Sequence, residues 1–149
     1  MYKHILVAVD GSDTSNIALQ EAIRLAKDQK AALRLIHVVD EVAAYMDLEL
    51  PDQLANYQKA IRKRGQKIVS TCVAVVREAG LKADTKVKLI DTLDQRIYDA
   101  IEEEAKKWPA DLIVIGTHGR RGLRRLMLGS VAEGLARVAT LPVLLVHKA

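Results

Sequence analysis

The chain has 149 residues, half of them hydrophobic, and a formal net charge of +4. This length predicts one domain over residues 1–149 with a sizeable core, and the absence of Phe predicts that the core is aliphatic. Cys72 is the one cysteine, which excludes a disulfide framework and a cysteine-based zinc site within one chain. No run approaches the roughly 20 apolar residues of a spanning helix, and no signal-peptide pattern occurs. We therefore expect a cytoplasmic protein that does not enter the membrane.

Five short aliphatic runs predict β-strands. The first, fourth and fifth runs are apolar almost throughout, as expected of strands that are covered on both faces. The second and third runs alternate more with charged residues, which predicts positions nearer to a sheet edge. In chain order the runs are HILVAV (4–9), ALRLIHV (32–38), TKVKLI (85–90), DLIVIG (111–116) and PVLLVH (142–147).

Four amphipathic segments between these runs predict helices, and their order with the strands predicts right-handed crossovers. The result is an α/β fold with a five-stranded parallel sheet and helices on both faces. The second segment carries RKRGQK, which we expect to face solvent, and residues 39–51 before it predict an irregular loop or flap. The helical segments are 14–28, 52–79, 93–108 and 130–139.

Glycines and arginines crowd the segment after the fourth strand, GTHGRRGLRRLMLGS (116–130), and DGS (10–12) follows the first strand. Open parallel sheets bind ligands at the carboxyl ends of strands where the strand order reverses. If both segments line one site, strands 1 and 4 are neighbours and the order is 3-2-1-4-5. The alternative order 2-1-3-4-5 is less favoured, because the turn DTLD after strand 3 contains no glycine.

The residue types in these two segments fit a nucleotide. Gly116 and Gly119 can adopt positive φ and let the backbone approach a ligand closely. Gly129 and Ser130 lead into a helix, whose N-terminus offers free N–H groups and positive dipole charge to a phosphate. Asp10 would repel phosphate but could accept hydrogen bonds from ribose hydroxyls or an adenine amino group. Asp10 could also serve only as a turn or helix-capping residue.

The spacing Gly116-x2-Gly119-x9-Gly129-Ser130, together with ILVAVDGS near the start, resembles the ATP-binding branch of the universal stress protein family. The resemblance implies the order 3-2-1-4-5 and ATP at the carboxyl ends of strands 1 and 4, with Mg²⁺ or Mn²⁺ bound through the phosphates. It implies a homodimer through strand 5 (142–147), and an exposed apolar edge strand independently favours pairing. Many members have a glycine just after strand 3, but none occurs here from Leu81 to Ile115, so no contact is expected from that turn.

The same resemblance assigns contacts with the nucleotide to individual residues. Asp10 and the backbone of Val38 would contact adenine and ribose. A second group would hold ribose and phosphates: Gly116, Gly119, Gly129, Ser130 and the N–H group of Val131. Further candidates for contacts in the same loop are Thr117, His118 and Arg120.

The four arginines at 120, 121, 124 and 125 also raise the possibility of nucleic-acid binding. No aromatic residues are interleaved for base stacking and no recognition-helix motif occurs, so a basic rim that attracts phosphate is the favoured interpretation. The four histidines, at 4, 37, 118 and 147, do not have the spacing of a metal site, so we expect no metal held by protein side chains alone.

The leading hypothesis is a nucleotide-binding regulatory protein of the stress response, whose state is read by an unknown protein partner. One alternative is a slow ATPase or an enzyme that phosphorylates its own Ser130, although no P-loop lysine follows the glycines. Another is a structural dimer that binds no nucleotide. The residues suit ATP, ADP, AMP and cyclic adenine nucleotides alike.

Overall fold

The computed structural model describes residues 1–46, 53–119 and 127–149. None of the helices in these ranges is long and apolar enough to cross a bilayer. The elements follow in the order β1 (His4–Ala8), α1 (Asp13–Gln29), β2 (Ala32–Asp40), α2 (Glu41–Met46), α3 (Leu54–Glu78), β3 (Ala83–Ile90), α4 (Ile97–Lys107), β4 (Leu112–Gly116), α5 (Ser130–Val138) and β5 (Val143–Val146).

The five strands form one parallel sheet with the order β3-β2-β1-β4-β5, which confirms the predicted fold class and strand order. Val7 in the central strand pairs with Leu35 of β2 on one side and with Val114 of β4 on the other. The carboxyl ends of β1, β2 and β4 therefore lie side by side, and the turns that follow them share one edge of the sheet.

Helices cover both faces of the sheet, and neighbouring residues of a strand serve opposite faces. Ile5 and Val7 pack towards α1 and α3, whereas Leu6 packs towards α4 and α5. All three side chains are fully buried. This burial on both faces explains why β1 and β4 are apolar almost throughout.

The positions of β2 and β3 agree with the prediction that both lie nearer to a sheet edge than β1. β3 is the edge strand, and β2 lies next to it, inside the sheet. Its charged residue, Arg34, is accommodated because its Nη1 donates to Glu104 at 2.7 Å and its guanidinium lies 4.8 Å from the ring centre of Trp108. An internal strand thus tolerates arginine where a carboxylate and an aromatic face are both in reach.

The predicted helices are present, but some of their limits and faces are wrong. Residues 39–46 are not irregular, because β2 continues to Asp40 and α2 follows directly, while 47–51 lie outside the described residues. α4 begins only at Ile97, and Leu93, the first residue of the predicted segment 93–108, is 71 % exposed. Within RKRGQK, Gly65 is buried: a Cβ there would lie 2.9 Å from Cδ2 of His37, so this turn of α3 packs directly on β2.

Cys72 is buried on α3. Its burial raises the pKa of the thiol, and the negative charge of Asp10 raises that pKa further. The thiolate is therefore disfavoured, which fits an inert core cysteine rather than a nucleophile.

Glu103 on α4 connects two elements through its charge. It accepts hydrogen bonds from Lys107 of the same helix and from Lys88 of β3, and these bonds lower the pKa of its carboxyl group to about 2 from the ordinary 4.5. A carboxyl group whose pKa is lower in the folded than in the unfolded protein stabilises the fold at pH values above the unfolded pKa. This stabilisation is lost as the pH falls through the folded pKa.

We expect Glu103→Gln to lower the melting temperature at pH 7, with the difference from the wild-type protein shrinking between pH 4.5 and about pH 2. Thermal unfolding followed by circular dichroism across this range measures the difference. Glu133→Gln, which removes a carboxylate from an exposed pair with Arg137 on α5, is the control for loss of surface charge. A difference in melting temperature between wild type and Glu103→Gln that does not change with pH would contradict the stabilising role of the Glu103 carboxylate.

Candidate functional site

A crevice with a volume of about 880 Å³ opens where β1, β2 and β4 end. Nine of the ten residues predicted for the site line it, although they come from four separate parts of the chain. The tenth, Arg120, lies outside the described residues. The nine are Asp10, Val38, Gly116, Thr117, His118, Gly119, Gly129, Ser130 and Val131.

The turn after β1 places Asp10 at the floor of the crevice. Its Oδ1 accepts the N–H of Ser12 at 2.9 Å, and its own N–H donates to Oγ of Ser15 at 3.0 Å. Ser12 in turn caps α1 by accepting the N–H of Ser15. Asp10 is therefore a turn residue, as the alternative interpretation held, and it lines the crevice as well. Its Oδ2 lies 3.0 Å from where a Cβ on Gly119 would stand.

Thr117 closes the base of the loop that joins β4 to α5. Its N–H donates to the carbonyl oxygen of Val146 at 2.9 Å, and its carbonyl oxygen accepts the N–H of Gly129 at 2.7 Å. A Cβ on Gly129 would stand 3.0 Å from this same carbonyl oxygen. Glycine at 129 thus allows the two ends of the loop to approach each other closely.

The start of α5 forms the anion-binding part of the crevice. The helix begins at Ser130, and its N-cap residue, Gly129, has no side chain to cap it. The residues of its first turn line the crevice, together with Gly129 before it. Backbone N–H groups without a helical partner and the positive end of the helix dipole therefore border the cavity.

Gly116 lines the crevice and also has a packing role that was not predicted. A Cβ there would lie 2.9 Å from the backbone carbon of Thr14, so glycine at 116 lets α1 pack against β4. The expectation of positive φ was wrong for Gly116 and Gly119. Among the glycines in the described ranges, Gly11 (φ +80°) and Gly80 (φ +81°) have this conformation. Gly11 allows the tight turn that carries Asp10.

His118 offers the crevice a polar atom in need of a partner. Its Nδ1 lies 2.9 Å from Oγ1 of Thr117. Its Nε2 is buried and has no hydrogen-bond partner in the part of the chain that the structure describes. An unsatisfied buried nitrogen is costly, and a ligand or water in the crevice would remove that cost.

Comparison with known proteins supports the family resemblance directly. The model of the universal stress protein family matches residues 1–147. This chain belongs to the universal stress protein family. Universal stress protein MJ0531 of Methanocaldococcus jannaschii is 36% identical over 148 residues, covering 99% of this chain and 84% of that protein. Universal stress protein YxiE of Bacillus subtilis is 34% identical, covering 99% of this chain and 100% of that protein.

Solved structures of universal stress proteins share the fold. UspA from Lactobacillus plantarum superposes with a TM-score of 0.81 at 25% identity, covering 97% of each chain. A universal stress protein solved in complex with cAMP gives 0.68 at 24% identity, covering 99% of both chains. The Archaeoglobus fulgidus protein solved in complex with dAMP gives 0.66 at 23% identity, covering 97% of this chain and 98% of that one.

This universal stress protein also has a crevice wall that the sequence analysis missed. It is built by α2, α3 and the start of α4, and no motif in the sequence marks it. His37 lies beneath this wall with its Nδ1–H donating to the carbonyl oxygen of Val9 at 2.7 Å. The wall residues are Ala43, Tyr57, Ile61, Arg64, Arg96, Ile97 and Tyr98.

Proposed function

We propose that the crevice binds an adenine nucleotide, ATP foremost, and that the protein acts as a nucleotide-dependent regulator in the stress response. The observation that carries this proposal is the juxtaposition of a carboxylate with an anion-binding helix start. Asp10 suits the hydroxyl or amino groups of a nucleoside, while Gly129, Ser130 and Val131 offer N–H groups to phosphates. A free phosphate or a small acid would bind to the helix start but would gain nothing from the carboxylate of Asp10. The dAMP and cAMP complexes of related folds support the same ligand class.

Within this proposal, each lining residue has a part. Asp10 and the backbone of Val38 hold base and ribose. Nε2 of His118, buried without a partner among the described residues, gains one from the ligand. Phosphates lie over the start of α5, where Gly119 leaves room between that helix and Asp10. Gly116 and Thr117 shape the site through packing and loop closure, and Arg120 remains a predicted phosphate contact.

A divalent cation fits this arrangement only as a companion of the phosphates. In the described ranges, no group of three His, Cys, Asp or Glu side chains could hold a metal ion. Mg²⁺ or Mn²⁺ would thus be bound mainly by phosphate oxygens and would neutralise part of their charge. The protein contributes the orientation of the phosphate chain.

The edge strand β5 supports the proposed homodimer through residues 142–147. β5 forms one edge of the sheet, and all four of its residues are only partly buried. An apolar edge of this kind is a template for pairing with a second copy. The carbonyl oxygen of Val146 in β5 also accepts the N–H of Thr117, at the base of the glycine loop (residues 116–130). One hydrogen bond thus connects the proposed dimer edge with the nucleotide site. A protein partner could read nucleotide occupancy through this connection.

Nucleotide content is the decisive test of the proposed function. We expect freshly purified protein, once denatured, to release an adenine nucleotide at near one per chain, identified by chromatography and mass spectrometry. Protein emptied of nucleotide should then bind ATP in a calorimetric titration, with and without Mg²⁺, and prefer it to GTP. Release of inorganic phosphate in the same samples separates a regulator from a slow ATPase. Absence of nucleotide together with absence of binding would refute the proposal and favour the structural dimer.

A further inference from the structure

The end of the crevice at β2 has two arginines that the nucleotide proposal does not use, although that proposal places base and ribose near Val38 of the same strand. Arg64 of α3 lines it from one face of the sheet, and Arg96, which precedes α4, lines it from the other. The glycine loop lies instead beyond β4. β1 separates β2 from β4, so the two ends of the crevice are about 10 Å apart, two strand spacings. The volume of about 880 Å³ lies towards the upper end of the range for small-molecule sites.

The charges around this end favour an anion. The first half of α3 has five Lys or Arg residues and no Asp or Glu between Leu54 and Lys67. Arg62 is occupied, because it forms an ion pair with the buried carboxylate of Glu41. Arg64 and Arg96 form no ion pair with any carboxylate in the described part of the chain. Both arginines are exposed residues that line opposite walls of the crevice, and two such charges without an ion pair produce a positive potential there.

The nearby carboxylates are held by backbone groups. Asp40, at the end of β2, lines the crevice, and its Oδ1 accepts the N–H of Ala43 at 2.9 Å. Oδ2 of Asp99 accepts the N–H of Arg96 at 3.0 Å. The guanidinium groups of Arg64 and Arg96 therefore keep their donors for a ligand. The planar fork of a guanidinium matches the oxygens of a phosphate group, often with two parallel hydrogen bonds.

The position of Arg64 is fixed by its neighbour. Gly65 is buried on β2, where a Cβ would lie 2.9 Å from His37 and 3.0 Å from Val39. Because this turn of α3 lies directly on the strand, Arg64 is held where it lines the crevice. Arg64 and Lys63 are both exposed, but Lys63 does not line the crevice.

We propose that Arg64 and Arg96 form a second anion subsite, which takes a phosphate group at the end of the crevice away from the glycine loop. This inference rests on the proposed function, since it assumes a nucleotide whose 5′-phosphates lie over the start of α5. The second phosphate has two possible sources. It is carried by the same molecule, as in an adenine nucleotide with a further phosphate on its ribose, or it is a separate inorganic phosphate bound beside a nucleotide.

The first experiment compares adenosine 3′,5′-bisphosphate with AMP, which has the same 5′-phosphate but no phosphate on the 3′ oxygen. We expect the wild-type protein to bind the bisphosphate about tenfold more tightly, the size of one charge-assisted hydrogen bond or more. This ratio of affinities should fall to about one in Arg64→Gln and in Arg96→Gln. It should persist in Lys63→Gln, which removes the same charge one residue away.

The second experiment identifies a separate phosphate. Protein saturated with AMP is titrated with inorganic phosphate, and the arginine Nε–Hε signals are followed by nuclear magnetic resonance. A saturable shift that is lost in Arg64→Gln, without a bisphosphate preference, assigns the subsite to free phosphate. Wild-type protein that binds AMP but shows neither effect overturns this inference and leaves the proposed function intact. If the preference for the bisphosphate is lost equally in Lys63→Gln, the inference is also overturned, because the preference would then reflect net charge alone. Failure to bind AMP counts against the proposed function, and the bisphosphate ratio still decides the subsite.

Discussion

A Gly119→Val variant will bind ATP about 100-fold more weakly than the wild-type protein and will unfold within about 2 °C of it. A Cβ at position 119 stands 3.0 Å from Oδ2 of Asp10, and the two methyl groups of valine extend into the space between Asp10 and the start of α5. Phosphates are then kept from the N–H groups of that helix. The loss of two charge-assisted hydrogen bonds, each about 1.5–3 kcal/mol, accounts for an effect of this size. Calorimetric titration and thermal unfolding measure the two quantities.

A graded substitution is the control for this result. Gly119→Ala adds the Cβ alone, so we expect its affinity for ATP to be about tenfold lower than that of the wild type, which is a smaller loss than in Gly119→Val. Gly119 is exposed and its φ is not positive, so neither variant strains the backbone. A folded Gly119→Val protein with wild-type affinity for ATP would place the nucleotide elsewhere and refute the site.

The general architecture was predictable because it depends on patterns that are local in sequence. Strands buried on both faces require unbroken aliphatic runs, and the runs of β1 and β4 show this directly. The sequence also indicated that β1 and β4 are neighbours, because the DGS turn after β1 and the glycine loop after β4 can line one site only in that arrangement. The structure has this order, and it gathers nine of the ten predicted residues around one crevice.

What the sequence could not provide depends on contacts between distant residues. Arg34 indicated a strand nearer to an edge, but its partner Glu104, 70 positions away in the chain, is not evident from the sequence. Gly116 lines the crevice, but its close contact with Thr14 on another element could not be read from the loop that contains it. Arg64 is exposed, as expected of a charged run on a solvated helix face, and it also lines the crevice because Gly65 beside it packs on β2. In each case a tertiary contact adds what the local pattern does not show.

Gly134→Ala should lower the free energy of unfolding by about 2 kcal/mol, although alanine is the better helix former. Gly134 lies inside α5, where replacing glycine by alanine ordinarily stabilises by up to about 1 kcal/mol. A Cβ at this position would, however, lie 2.1 Å from Cδ1 of Tyr98, within the ring that packs between α4 and α5. The ring has to move, and overpacking of this kind costs about 1–3 kcal/mol. Urea unfolding of both proteins measures the difference.

A double-mutant cycle separates the ring from the helix. In a Tyr98→Ala background the obstacle is gone, so the same Gly134→Ala change should become stabilising by up to about 1 kcal/mol. Destabilisation of equal size in both backgrounds would show that position 134 requires glycine because of the α5 backbone and not because of the Tyr98 ring. The change of sign would show instead that Gly134 keeps Tyr98 at the crevice wall. A residue that no ligand touches would then determine the shape of the nucleotide site through the packing of two helices.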